Sequence, residues 1–149
     1  MALNDKATDK LQDLIKINID SYKGLEQAAD TIERKDVADL FRNIADHRRT
    51  HAEQLRGVVE LTDEEAEDSG SIKGTVHRWW LSARGAITDG DDHAVLSEAE
   101  RGEDKIKNEY EEALNEIDDA TTKELVARQF AEVKSGHDRV RDLRDAAAS

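Results

Sequence analysis

The stretch that decides the fold is Ser97 to Leu114, SEAERGEDKIKNEYEEAL. Its apolar positions Ala99, Ile106, Tyr110 and Ala113 recur at helical spacing, continue Val95 and Leu96, and run on to Leu114 and Ile117, so they draw one buried stripe along a helix. At ~100° per residue Glu103 falls inside that stripe and Glu100 on its flank. A carboxylate aimed at an apolar interior needs a partner, because burying it alone is costly. The functional question is therefore what meets Glu103.

Three more helical patterns surround this one. Towards the N-terminus, Leu11, Leu14, Ile15, Tyr22, Leu25, Ala29 and Ile32 trace one face with Asn18 in its middle, which predicts a helix over about 8–33. The charged break Arg34-Lys35-Asp36 follows, with Asp36 the expected N-cap of a second helix over about 36–60, built on Val37, Leu40, Phe41, Ile44, Leu55, Val58 and Val59. So short a connection predicts an antiparallel hairpin. Gly90, Asp91 and Asp92 introduce the helix of the opening stretch, over about 92–117. After Asp118-Asp119-Ala120, a capping box from Thr121 to Glu124 opens a fourth helix over about 121–145, carrying Leu125, Val126, Phe130, Val133, Val140 and Leu143.

Between Leu61 and Gly90 the acidic TDEEAEDSG segment leads into a shorter amphipathic pattern over about 71–87, with Ile72, Val76, Trp79, Trp80, Ala83 and Ile87 on its apolar side. This is far more chain than a tight turn needs, and it predicts a long crossover with its own helix. The expected fold is all-α: one domain over 1–149, a ferritin-like four-helix bundle of two antiparallel hairpins joined by that crossover.

Composition excludes several functions. There is no proline, and 37% hydrophobic against 38% charged residues suits amphipathic helices with solvated outer faces. With 35 acidic against 22 basic residues the net charge is −13, which disfavours nucleic acid and anionic membranes as partners. The absence of cysteine removes disulfides, thiol catalysis and thiolate metal sites together. No apolar run is long enough to span a bilayer and no signal-peptide pattern opens the chain, so the expected location is the cytoplasm. No phosphate-cradling glycine loop or nucleophile–base pair stands out.

Helical wheels place Asn18, Tyr22, Arg48, His51, Glu103, Gln129 and His137 in or near the buried stripes, with Glu26, His47, Glu100 and Glu132 on their flanks. If the helices pair about their turns, Glu103 comes level with His137 and Asn18 with His51. A bundle selected for stability alone would fill its middle with leucine, so a central polar layer suggests a site. One reading is metal: iron or manganese held by Glu103 and His137, helped by His51, Glu100 and Glu132, with Tyr22 as a neighbour. The paired Glu-x-x-His motifs of di-iron bundles are absent, since Arg48 stands three residues before His51 and Lys134 three before His137. The other reading is structural: Glu103 pairs with Arg48, or accepts from His137 and Tyr22, in a buried network that fixes the helices. His47 and His51, four apart, can also chelate one ion.

The chain resembles a bacterial family of uncharacterised ferritin-like four-helix-bundle proteins nearly end to end. The resemblance is carried by LQDLI at Leu11 to Ile15, GLEQAAD at Gly24 to Asp30, DLFRNIADHRRTHAEQL at Asp39 to Leu55, SGSIKGTVHRWW at Ser69 to Trp80, ERGED at Glu100 to Asp104 and QFAEVKSGHDRVRDLRD at Gln129 to Asp145. It implies the bundle and brings no activity with it. The resulting expectation is a bundle connected with metal binding or stress. The alternative is an inert bundle that self-associates as a homo-oligomer, or binds a partner, through the crossover around Trp79 and Trp80.

Overall fold

The computed structural model describes residues 4–62, Ala66 and residues 92–148. The expected crossover helix, with His77, Trp79 and Trp80, and the capping residues Gly90 and Asp91 lie outside the described residues.

Four helices make up the described fold: α1 (Asp5–Thr31), α2 (Lys35–Glu60), α3 (Asp92–Glu116) and α4 (Ala120–Ala148). No strand is present among the described residues. α1 packs most extensively on α2, and α3 on α4, as two antiparallel hairpins; α1 also packs on α3 and α2 on α4, while the two diagonal pairs do not pack. Ion pairs and hydrogen bonds between facing side chains fix the directions. Lys6 meets Glu116 and Lys10 meets Glu112, so α1 and α3 run antiparallel. Asn43 meets Arg139 and His51 meets Glu132, so α2 and α4 do too. The diagonal helices α2 and α3 therefore run in the same direction. Arg34, at the α1–α2 turn, lies 3.6 Å from Asp92. Thus α2 ends and α3 begins at opposite ends of the bundle.

Local chemistry sets the helix starts, at three places differently from the sequence expectation. Asn4 caps α1 by accepting from the Ala7 N–H at 2.8 Å, and the helix begins three residues before the predicted boundary. Asp36 is not the cap of α2. It lies in the first turn, where the Arg34 guanidinium holds it through two bonds of 2.7 and 3.0 Å, and Arg34 occupies the cap position without a side-chain bond. At α4 the cap is Asp119 rather than Thr121: its Oδ2 accepts from the Thr122 N–H at 3.0 Å and the Thr122 hydroxyl at 2.7 Å. These bonds hold the Asp119 carboxyl below its ordinary pKa.

The apolar core has two parts. One lies at the end where α1 begins, around Leu11, Leu14, Leu55, Tyr110, Ile117 and Val126; the other lies at the α1–α2 turn, around Leu25, Val37, Phe41, Leu96 and Val140. Tyr22 packs against both, and the guanidinium of Arg49 sits 4.9 Å from its ring centroid. Asn18, Arg48, His51, Glu103 and Gln129 are all buried. Arg48, His51 and Glu103 occupy the levels between the two apolar parts, while Asn18 and Gln129 lie within the first. None of the described helices is long and apolar enough to cross a membrane.

The corrected cap yields a direct expectation. Asp119→Ala should cost about 1 kcal/mol in chemical denaturation, the usual price of a lost N-cap, whereas Thr121→Ala should change stability by only a few tenths.

Candidate functional site

Arg48 of α2 and Glu103 of α3 meet across the diagonal of the bundle, with Nη2 donating to Oε1 at 2.6 Å and side chains 0% and 3% exposed. This resolves the question posed by the buried carboxylate. Because α2 and α3 do not pack on one another, the two long side chains have to span the core. They do so beside Gly136 of α4, where an added Cβ would stand 3.2 Å from Glu103 Oε1 and 3.3 Å from Arg48 Nη2. A glycine inside a helix costs about 1 kcal/mol relative to alanine. Here it makes room for the ion pair.

A hydrogen-bonded chain lies beside the pair. Asn18 donates to the Tyr110 hydroxyl at 2.9 Å, and Tyr110 donates to Gln129 Oε1 at 2.7 Å. Gln129 in turn donates to Gln54 Oε1 at 3.0 Å and to the His51 carbonyl at 3.3 Å. Burial pushes the Tyr110 hydroxyl well above the usual tyrosine pKa. Arg48 Nε and Nη1, Asn18 Oδ1 and His51 Nδ1 have no hydrogen-bond partner among the described residues. The layer is thus charge-balanced at its centre and incompletely hydrogen-bonded around it.

Titratable side chains gather on the two flanks of α4. On the side facing α2, His51 Nε2 lies 3.2 Å and His47 Nδ1 3.6 Å from the same oxygen, Glu132 Oε2. Burial, reinforced by the positive charge of Arg48, lowers the His51 pKa to about 4, so the ring is neutral at pH 7. On the side facing α3, His137 Nε2 lies 2.7 Å from Asp104 Oδ1 and its Nδ1 lies 3.2 Å from Asp138 Oδ1. The His137 bond holds Asp138 below its ordinary pKa. Glu100 is adjacent and bonds Arg144 through Oε1, while its Oε2 is buried without a hydrogen-bond partner. One ligand atom from each of Glu100, Asp104 and His137 lies within 4.8 Å of the others, the one such group among the described residues.

The five residues read from the sequence as metal ligands are therefore divided among three places. Glu100 and His137 come together, His51 and Glu132 come together, and Glu103 is held by Arg48 instead of meeting His137. Sequence reasoning missed Asp104, which is exposed and lies off the apolar stripe; its only signal is its position four residues after Glu100. It also missed Gly136, although a glycine inside a helical pattern marks a close approach.

The sequence model of a family described as a domain of unknown function, DUF2383, matches residues 6–116. That span covers most of α1, and α2 and α3 entirely; α4, with Glu132, Gly136 and His137, lies beyond it. A search of curated proteins finds no match.

The buried pair predicts a non-additive response. Glu103→Ala leaves a charged guanidinium in the core and should cost about 3–5 kcal/mol, whereas Arg48→Met combined with Glu103→Leu should recover most of that loss in denaturant titrations. The depressed His51 pKa predicts a pH dependence in chelator-treated protein. The unfolded chain takes up the proton near its ordinary value of 6.5 and the folded protein only near 4, so stability is full above pH 6.5 and falls as the pH drops through that window. The loss should be on the order of 3 kcal/mol, and His51→Gln should flatten the profile of stability against pH.

Proposed function

The chain belongs to the DUF2383 family, whose function is unknown, and from its own chemistry we propose that it is a ferritin-like bundle that binds a divalent cation, iron(II) or manganese(II), at Glu100, Asp104 and His137. The likeness to ferritins rests on connectivity: neighbouring helices all run antiparallel, and the chain passes from α2 to α3 between opposite ends of the bundle. The dinuclear centre of di-iron bundles does not fit here. The middle of the core holds the Arg48 guanidinium already paired with Glu103, and no helix supplies Glu-x-x-His.

The observation that carries the reading is the convergence of three donors on the α3–α4 seam, with an unpartnered Glu100 oxygen among them. Two carboxylates and one imidazole form a predominantly hard donor set, which suits manganese(II) or iron(II) and leaves positions for water. The surroundings of His137 support it further. With Nε2 facing Asp104 and Nδ1 facing Asp138, the ring can bind a cation through Nε2 while its Nδ1–H donates to Asp138. A carboxylate behind a ligating histidine fixes the tautomer and raises the basicity of the ligand nitrogen. Arg144 occupies Glu100 through Oε1 and acts as a counter-cation that a metal ion has to displace.

Manganese(II) titration followed by electron paramagnetic resonance tests this reading, because bound ion loses the signal of the free hydrated ion. One ion per chain is expected. His137→Ala should abolish binding, Asp138→Asn should weaken it by about 10–100-fold, and Arg144→Ala should strengthen it. An undiminished free-ion signal in the wild type, or binding unaffected by His137→Ala, would exclude this site.

A further inference from the structure

The α2-facing flank of α4 carries a different set of donors. We propose that His47, His51 and Glu132 form a second cation site, on the α2–α4 seam, selective for a borderline transition metal such as zinc(II) or nickel(II). This site is independent of the one at Glu100, Asp104 and His137, with which it shares no residue.

The argument starts from spacing. His47 and His51 are one helical turn apart, so both rings leave α2 on the same side. Both present a nitrogen to a single oxygen of the facing helix, at 3.6 and 3.2 Å. A tetrahedral zinc ion, bound at about 2.0–2.2 Å by nitrogen and oxygen, holds neighbouring donors roughly 3.3 Å apart. The two nitrogen–oxygen separations are therefore near what a shared ion requires. The nitrogens of the two histidines stand further from each other, because the trio is not among the groups whose atoms all fall within 4.8 Å.

Burial shows how that distance closes. The His51 side chain is 2% exposed and fixed by packing, whereas those of His47 and Glu132 are 42% and 53% exposed. One donor is anchored and two are free to rotate onto an ion. Arg48, one turn from His51, is the opposing positive charge. Its pairing with Glu103 at 2.6 Å offsets that charge, and Glu132 brings a negative charge to the site itself. Two imidazoles with one carboxylate favour zinc, nickel or copper over manganese, the reverse of the preference at the α3–α4 seam.

Calorimetric titration of zinc(II) into chelator-stripped protein decides the assignment, using wild type, His137→Ala, His47→Ala and the double variant, each with a thermal melt. His47 is partly exposed, so its replacement leaves the core intact. In the His137→Ala background, where the α3–α4 site is disabled, zinc(II) should still bind at one ion per chain and raise the Tm. Adding His47→Ala should weaken that binding by at least about tenfold and remove the rise in Tm. Equal zinc affinity with and without His47, or loss of all zinc binding in His137→Ala alone, overturns the proposal. The manganese(II) titration is decided separately, so either site can fail without the other.

Discussion

A buried ion pair across the diagonal of a four-helix bundle constrains everything around it. Arg48 and Glu103 are the two longest charged side chains in the core, and each is soluble there only because of the other. Their 2.6 Å contact ties together two helices whose backbones do not approach each other closely. The apolar residues above and below are arranged as two separate groups, so hydrophobic burial supplies the bulk of the stability while the pair sets how the two halves face each other. Uncharged hydrogen bonds through Asn18, Tyr110 and Gln129 extend that constraint to α1 and α4.

The same pair bears on where the proposed cation sites can lie. In bundles with a central dinuclear metal centre the carboxylates converge on the axis; here the axis carries a guanidinium, and a divalent ion beside it would meet a positive charge at low dielectric. The donors are displaced to the seams on either side of α4. That helix turns Glu132 towards α2 and His137 towards α3. One of the two proposed sites is rich in carboxylate and the other in imidazole, so they would favour different cations within one short helix segment.

Much of this was legible in the sequence because helical period is a strong signal. The spacing of Ala99, Ile106, Tyr110 and Ala113 located α3 and put Glu103 inside the core, where it is 2% exposed. Pairing with Arg48 was one of two readings that the wheel allowed; the choice between them depended on whether side chains could cross the diagonal, and that depended on Gly136. Helix starts were harder to read. Asp36 and Thr121 both have good capping chemistry, but Arg34 competes for the first and Asp119, two residues earlier, displaces the second. Asp104 was illegible for the opposite reason. It is exposed, so nothing in the hydrophobic pattern distinguishes it from other surface carboxylates on α3.

Gly136 also acts as an index mark. Apolar spacing alone tolerates α4 sliding along its neighbours by two turns, because Val126, Val133 and Val140 repeat every seven residues and can exchange places with one another. The passage beside the ion pair resists it: a Cβ there stands 3.2 Å from Glu103 Oε1 and 3.3 Å from Arg48 Nη2, so a larger side chain pushes the bridge aside, and α4 has no other glycine. A seven-residue slip would bring Gln129 or Leu143 onto the Arg48–Glu103 bridge. The notch therefore singles out one alignment from a degenerate set, much as a key cut selects one lock position, and it does so through an atom that is missing.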